Sequence, residues 1–187
     1  MRRVVTGSDS QGRPTIVSDG EPPRTVHLQH TPGLIDRVVW GTDRPFPCNP
    51  RGEDPTPSMS TILPGPGETR FTIVTFPPDA IFDSAGFDPA AAAAEYAQVS
   101  PGLADRFDPE VPGMHQTPTV DYAIVLDGRL ALDLGPDGGV TELGTGDVVV
   151  QNGVRHAWRN PFDRPGTAAF ILIGCDPEAG SAGQTAR

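Results

Sequence analysis

The chain has 187 residues, a length that suits one domain, and its 14 Lys and Arg against 24 Asp and Glu give a net charge of −10. This acidic balance without a basic patch argues against nucleic-acid binding, because phosphate contacts need clustered lysine and arginine. No apolar run is long enough to span a membrane, and no apolar signal-peptide core follows the start. We therefore expect a cytoplasmic protein with no nucleic-acid or membrane partner.

The 22 glycines and 22 prolines disfavour a helical bundle and favour short strands joined by turns. The runs "RRVVTG" and "PTIVSDG" predict an opening hairpin, and "LIDRVVWG" and "SMSTIL" are further strand candidates. A proline-rich loop lies between the last two. Cys48 and Cys175 are expected to be unrelated free thiols, since neither has a CxxC partner.

One helix is predicted in the middle of the chain, after the strand "ETRFTIVTF". Asp88 is a suitable N-cap, Pro89 occupies the first helical position, and an alanine-rich run follows. From Met114 onward the pattern is purely β, with "TVDYAIVL" alternating and Asp127-Gly128 marking a hairpin turn. Six or more short strands with tight turns predict an all-β sandwich or barrel, and we expect the tail 175–187 to be disordered.

Two motifs in the C-terminal half resemble those of the cupin superfamily. His115, Thr117, Asp121 and Gly128 follow the spacing of the first cupin motif, in which two histidines are followed by a glutamate and a glycine. The stretch "GDVVVQNGVRHAWRN" resembles the second motif, with Gly146, His156 and Asn160 at the matching positions. Thr117 departs from the second histidine and Asp121 from the glutamate.

The resemblance implies an all-β, cupin-type jelly-roll barrel, similar to small single-domain bacterial cupins. We expect residues 69–174 to form the barrel, with a helical insertion at 80–113 near its mouth. Residues 1–68 supply N-terminal strands and the proline-rich loop, which pack on the barrel. Small cupins commonly pair through sheet edges and N-terminal strands, so the resemblance also implies a homodimer.

Strand periodicity places positions 115, 117, 119 and 121 on one face if no bulge intervenes. In a cupin, His156 joins this face from a separate strand. The resulting candidate site has His115, Asp121 and His156 as catalytic residues and as ligands of a divalent metal such as Fe, Zn, Mn or Ni. The candidate substrate pocket adds four residues: Thr117, Val125, Gln151 and Trp158.

Three functions remain open on these residues. The first is a metal-dependent enzyme acting on a small organic molecule, by dioxygenase chemistry or by lyase, dehydratase or isomerase chemistry. The second is a metal-free enzyme in which His115 and His156 act as acid and base while Thr117 and Asp121 orient the substrate. The third is a non-enzymatic cupin that binds a small ligand. Asp121 has an alternative role as a hydrogen-bond partner of an imidazole.

Two further groups are assigned more simply. His27 and His30 are spaced i, i+3 but have no obvious carboxylate partner, so we expect a surface or interface role. The apolar residues of the insertion fit either a lid over the barrel mouth or ordinary packing on the barrel's outer face. These residues are Ile81, Phe82, Phe87 and Phe107.

Overall fold

The computed structural model describes residues 1–44 and 53–176. Cys48, most of the proline-rich loop and the tail 177–187 lie outside the described residues, so the predictions for them stay predictions. Cys175 is a free thiol. No helix in the described part of the chain is long and apolar enough to cross a membrane.

Within the described ranges the chain forms eleven strands, two helices and three turns of 3-10 helix. The strands are β1 Arg3–Ser8, β2 Pro14–Gly20, β3 Arg24–His27, β4 Ile35–Thr42, β5 Thr69–Phe76, β6 Thr119–Asp127, β7 Arg129–Asp133, β8 Val140–Gly144, β9 Val148–Asn152, β10 Ala157–Arg159 and β11 Gly166–Gly174. The helices are α1 Pro89–Val99 and the single turn α2 Gly135–Gly138, and the 3-10 turns are Thr56–Ser58, Asp79–Ile81 and Ala104–Arg106.

Two sheets form the body of the protein, and every pair of neighbouring strands is antiparallel. The larger sheet has the order β3-β4-β5-β11-β6-β9, and the smaller has the order β10-β7-β8. An isolated bridge between His115 and His156 extends the smaller sheet by one residue pair beside β10. Because β3 and β4 belong to the larger sheet, the N-terminal region is continuous with the barrel; the predicted division at residue 68 stays a prediction.

The chain crosses between these sheets in the manner of a jelly roll. It passes from β5 in the larger sheet to His115 in the smaller, then returns to the larger sheet for β6. The strands β7 and β8 follow in the smaller sheet, β9 in the larger, β10 in the smaller and β11 in the larger. This alternation confirms the predicted all-β, cupin-type jelly-roll fold.

The helix α1 begins where the sequence predicts, with Asp88 as its N-cap. Asp88 caps α1 by accepting hydrogen bonds from the backbone amides of Ala90 and Ala91, at 3.0 and 3.1 Å. Glu95 on the helix accepts bonds from the amides of Gln29 and His30, at 2.7 and 2.8 Å. These contacts tie α1 to the segment that follows β3.

The prediction of a strand at "SMSTIL" is wrong. This segment lies between prolines and has no ladder partner; instead, the Ile62 amide donates to the carbonyl of Pro101 at 2.9 Å. The Thr61 hydroxyl donates to the same carbonyl at 3.2 Å. Arg24 and Arg70 donate to the carbonyls of Met59 and Thr61, so the insertion and these side chains, rather than a strand ladder, satisfy its backbone groups.

The opening hairpin, β1 with β2, is present as a separate two-stranded sheet. Arg3 holds it to the barrel sheet by donating to the Val39 carbonyl at 3.0 Å. Val4 and Ile16 remain exposed, at 46% and 58%. The homodimer expected through this hairpin stays a prediction.

The interior between the two sheets is divided into an apolar end and a polar end. At the apolar end Val125, Leu132 and Leu143 form a buried cluster with Val149 and Trp158 packed against it. At the other end the inward positions of β6 are Thr119 and Asp121, both buried. The fold therefore reserves one end of its interior for polar side chains.

Asn160 links three backbone segments at the end of β10. Its side-chain amide donates to the carbonyls of Phe76 and Arg164, at 3.0 and 2.8 Å, and its oxygen accepts from the Phe162 amide at 3.2 Å. Asn160 is 1% exposed, so these groups have no access to water once the side chain is gone. These bonds hold the end of β10 to the neighbouring segments.

We predict that Asn160→Ala lowers the free energy of unfolding by about 2–3 kcal/mol, because it leaves buried carbonyls without donors. Urea denaturation measures the change as a shift in midpoint at constant slope. Asn152→Ala, at an exposed position on β9, is the matched control and should change stability by less than about 0.5 kcal/mol. Equal effects of the two substitutions would contradict this role.

Candidate active site

His115 and His156 face each other at the polar end of the barrel. Each backbone amide donates to the other residue's carbonyl at 2.9 Å, so the two residues form a directly opposed antiparallel pair. Side chains of such a pair emerge on the same face of the sheet. The two imidazole ring centroids are accordingly 4.4 Å apart.

The ring nitrogens of both histidines are oriented by backbone carbonyls. The Nδ1 atom of His115 lies 3.0 Å from the carbonyl oxygen of Gly113, and that of His156 lies 2.9 Å from the carbonyl oxygen of Val154. A carbonyl oxygen only accepts, so each Nδ1 carries the proton and donates. The Nε2 atom of each neutral ring then carries no proton, so its lone pair is free to bind a metal ion or to accept a proton.

Both imidazoles are held in the neutral form. Burial lowers the pKa of His115, with a smaller opposing effect from the bond to Gly113. Burial, followed by the neighbouring His115, lowers the pKa of His156 to about 4. At neutral pH the pair therefore offers two uncharged nitrogen donors in a desolvated place.

Asp121 lies on the inward face of β6, 8% exposed, but not on one continuous strand with His115. The expectation of a single face running from 115 to 121 is wrong, because the chain bends at 116–118 and the strand begins at Thr119. His115 thus belongs to the smaller sheet and Asp121 to the larger. Among the described residues, no three His, Cys, Asp or Glu side chains are placed to hold one metal ion together.

Burial raises the pKa of Asp121, and a hydrogen bond with the Thr119 side chain partly opposes this effect. The hydroxyls of Thr117 and Thr119 are 2.7 Å apart, and both residues are buried. Gln151 is the register partner of Asp121 on β9 and is 5% exposed. The structure therefore places Thr117, Asp121 and Gln151 at the polar end with the histidine pair.

The other two predicted pocket residues lie at the apolar end. Val125 belongs to the buried cluster, and Trp158 packs against it. The Trp158 ring also meets Phe170 edge-on, with centroids 5.2 Å apart. Their surroundings are those of core residues. His27 and His30 are exposed; their surface or interface role stays a prediction.

One residue of the insertion forms a wall of the site. The Phe107 ring meets the His115 ring edge-on, with centroids 5.0 Å apart, while Phe82 and Phe87 pack on each other instead. A cavity of about 310 Å³ borders His115 on the solvent side, and Arg155 and Asp108 line it and form an ion pair at 2.6 Å. The ring-orienting carbonyls of Gly113 and Val154 have no sequence signal, because any residue supplies a carbonyl.

Comparison with known proteins identifies fungal relatives. Oryzines biosynthesis cluster protein J of Aspergillus oryzae (strain ATCC 42149 / RIB 40) is 31% identical over 179 residues, which cover 95% of this chain and 84% of the relative. Phomopsin biosynthesis cluster proteins C' and D of Diaporthe leptostromiformis are each 50% identical over 66 residues, or 34% of either chain. No protein-family model matches the chain. The narrower prediction of a bacterial cupin group is not confirmed by these fungal relatives.

Solved structures with similar folds are distant in sequence. The Cupin_2 domain of an XRE family transcriptional regulator from Enterobacter cloacae is 14% identical, covering 58% of this chain and 83% of that chain, with a TM-score of 0.35. DMSP lyase DddQ from Ruegeria pomeroyi DSS-3 is 20% identical, covering 57% and 38%, with a TM-score of 0.34. The jelly-roll assignment rests on the strand order above rather than on these partial overlaps.

We predict that His156 makes the protein less stable as the pH falls. Its pKa is about 4 in the folded protein against 6.5 in the unfolded chain, so the unfolded chain binds more protons between these values. Stability from this group is therefore complete above pH 6.5 and is lost towards pH 4, by up to about 3 kcal/mol.

The measurement is urea unfolding at several pH values between 7 and 4, comparing the native chain with His156→Gln. The variant should lose less stability over this interval. Asp36, whose pKa burial raises to about 6, acts in the opposite direction but is present in both proteins and cancels. His30→Gln, at an exposed position, should retain the native pH dependence; identical pH dependence in His156→Gln would refute the assignment.

Proposed function

The chain belongs to the family of oryzines biosynthesis cluster protein J, and we propose that it is a metal-dependent enzyme that acts on a small organic molecule at the polar end of its barrel. The observation that carries the proposal is the His115–His156 pair: two neutral rings, 4.4 Å between centroids, each fixed through Nδ1. The names of the relatives place those proteins in biosynthetic gene clusters, which supports a small-molecule substrate for this chain.

The donor chemistry of the pair fits a divalent metal ion. Metal-binding imidazoles are neutral, coordinate through one nitrogen, and donate the other N–H to a carbonyl or carboxylate that fixes the ring. His115 and His156 meet the first and third conditions, and Nε2 would be the coordinating atom of each. The three-residue set with Asp121 does not fit, since its carboxylate does not join the pair in a metal-holding group.

This donor set favours Lewis-acid chemistry over dioxygenase chemistry. Two histidines with one carboxylate are the ligands typical of non-haem iron oxygenases, and the carboxylate is missing from the group. His115 and His156 would hold an ion of the Fe, Zn, Mn or Ni class, which would supply Lewis acidity at this end of the barrel. We therefore propose a lyase, dehydratase or isomerase reaction, with Phe107 shielding one side of the pair and the cavity beside His115 as the entry.

A second candidate is a metal-free enzyme in which the two imidazoles exchange protons with the substrate. The lack of a three-ligand group favours it. The low pKa of His156, about 4, opposes it, because a good proton acceptor has a pKa near the working pH. Metal analysis separates the two candidates.

We predict that protein purified without chelators retains a divalent metal, and that His115→Ala and His156→Ala each reduce its content at least tenfold by elemental analysis. Asp121→Asn should retain the metal within about twofold, since Asp121 is not a ligand. His30→Ala is the matched control for loss of a histidine. Wild-type metal content in both His115→Ala and His156→Ala would overturn the proposal, and so would turnover by a metal-free preparation.

A further inference from the structure

Two buried polar side chains at the polar end of the barrel have atoms without a hydrogen-bond partner. Asp121 Oδ1 and Gln151 Nε2 are both fully shielded, and neither has a partner within the described residues. The two residues are register partners on β6 and β9, so their side chains leave the same face of the sheet. Asp121 Oδ1 is an acceptor without a donor, and Gln151 Nε2 is a donor without an acceptor. The two atoms do not bond to each other.

Other polar atoms of this kind in the described chain belong to side chains that are otherwise satisfied. Arg3 Nε lacks a partner, but the same guanidinium donates to the Val39 carbonyl and to Asp54. Arg37 Nε lacks one, but its NH1 donates to Thr75 at 3.1 Å. For Gln151, by contrast, the whole amide nitrogen is without a partner. An unfilled buried donor beside an unfilled buried acceptor is costly, and such an arrangement persists where a ligand completes it.

We propose that Asp121 and Gln151 form a subsite that binds a hydroxyl group of the substrate. A hydroxyl donates its proton to Asp121 Oδ1 and accepts from Gln151 Nε2 at the same oxygen atom. A ketone oxygen accepts a hydrogen bond from the Gln151 amide but has no proton to donate to Asp121. A substrate carboxylate is repelled by Asp121. An ammonium group donates to the Asp121 carboxylate, but it has no acceptor for the Gln151 amide N–H, which then faces a cation.

The subsite lies at the same end of the barrel as the histidine pair. Thr117 lies between His115 and Asp121 in the chain, and its hydroxyl bonds to that of Thr119. On the other side, a short turn at 153–155 joins the end of β9, which carries Gln151, to His156. These short connections keep the subsite and the pair at one end of the barrel, where the proposal places the substrate. This inference rests on the proposed function, in that the polar end must admit a small molecule, but it assigns Asp121 to the substrate rather than to a metal.

The first test needs no ligand. Gln151→Met replaces an unfilled amide by an apolar group of similar volume and should raise the thermal midpoint by about 2–4 °C. Asp121→Leu removes an unfilled oxygen but also the bond with Thr119, so it should raise the midpoint by less. Asn160→Met is the matched control, because it removes a buried amide whose bonds are all made, and it should lower the midpoint. A marked fall in midpoint for both Gln151→Met and Asp121→Leu would overturn the subsite, because it would show that these groups bond within the protein.

The second test uses 2-butanol and its ketone, 2-butanone, as probes of equal size. Each is titrated into 15N-labelled protein, and binding is followed by the Gln151 side-chain amide signal and the backbone amides of β6. We expect the alcohol to bind at least about fivefold more tightly than the ketone, and the preference to disappear in Asp121→Leu. If Asp121→Leu fails to fold, Asp121→Asn is used instead, because asparagine has the same shape as aspartate. This variant should lose much of the preference for the alcohol over the ketone. Equal binding of alcohol and ketone to the native protein overturns the proposal.

The outcomes separate this inference from the proposed function. If Asp121→Asn loses its metal as completely as His156→Ala does, Asp121 is a ligand; the hydroxyl subsite is then overturned while the metal-dependent function stands. If the alcohol preference is found in a protein that holds no metal, the subsite stands and the metal-dependent function falls.

Discussion

The reciprocal backbone pair between His115 and His156 is the constraint on which the rest of the site depends. Two amide-to-carbonyl bonds of 2.9 Å join His115, which is also bridged to Phe107, to the residue that precedes β10. Because opposed residues of an antiparallel pair carry their side chains on one face, the backbone itself forces the two rings together. The closeness of the imidazoles thus follows from β geometry, and it is maintained although burial and mutual repulsion disfavour a proton on either ring.

The helical insertion supports this pair from outside the barrel. Phe107 contacts the His115 ring, while Arg155 binds Asp108 and Arg159 donates to the Pro112 carbonyl at 2.6 Å. At the far end of α1, the buried Ser100 hydroxyl donates to Asp36 on β4 at 3.0 Å. The insertion is therefore fixed to the barrel at Ser100 and again over 107–112, and any lid-like opening must break these contacts. Of the apolar residues considered for a lid, Phe107 alone is seen against a histidine of the pair.

Local sequence signals predict the parts of the fold that local physics determines. The alternation of β6 gives its inward positions, Asp88 gives the start of α1, and Gly128 gives the turn after β6, where its positive φ of 70° and a carbonyl oxygen 2.6 Å from the position of a Cβ both require glycine. The pairing of His115 with His156 follows only from the family spacing, since the two residues are 41 positions apart in the chain. The break at 116–118 was missed because periodicity does not reveal where a chain leaves one sheet for the other. The segment "SMSTIL" was misassigned because its partner is a loop of the insertion.

The polar end of the barrel differs from the rest of the described interior in how its buried polar groups are satisfied. Elsewhere in the described structure, Asn160 makes three bonds, and Asp36 has Ser100 and two nearby arginines. Arg3 and Arg37 each have an Nε atom without a partner, but their guanidinium groups donate through other atoms. At the polar end, by contrast, two imidazoles of lowered pKa lie beside a carboxylate and an amide with unfilled bonding capacity. The sequence shows which residues are polar but not whether a neighbour satisfies them, so this contrast emerges only from the packed structure. A buried region that leaves complementary donors and acceptors open lowers the stability of the fold, and this loss is consistent with the binding role proposed for the polar end.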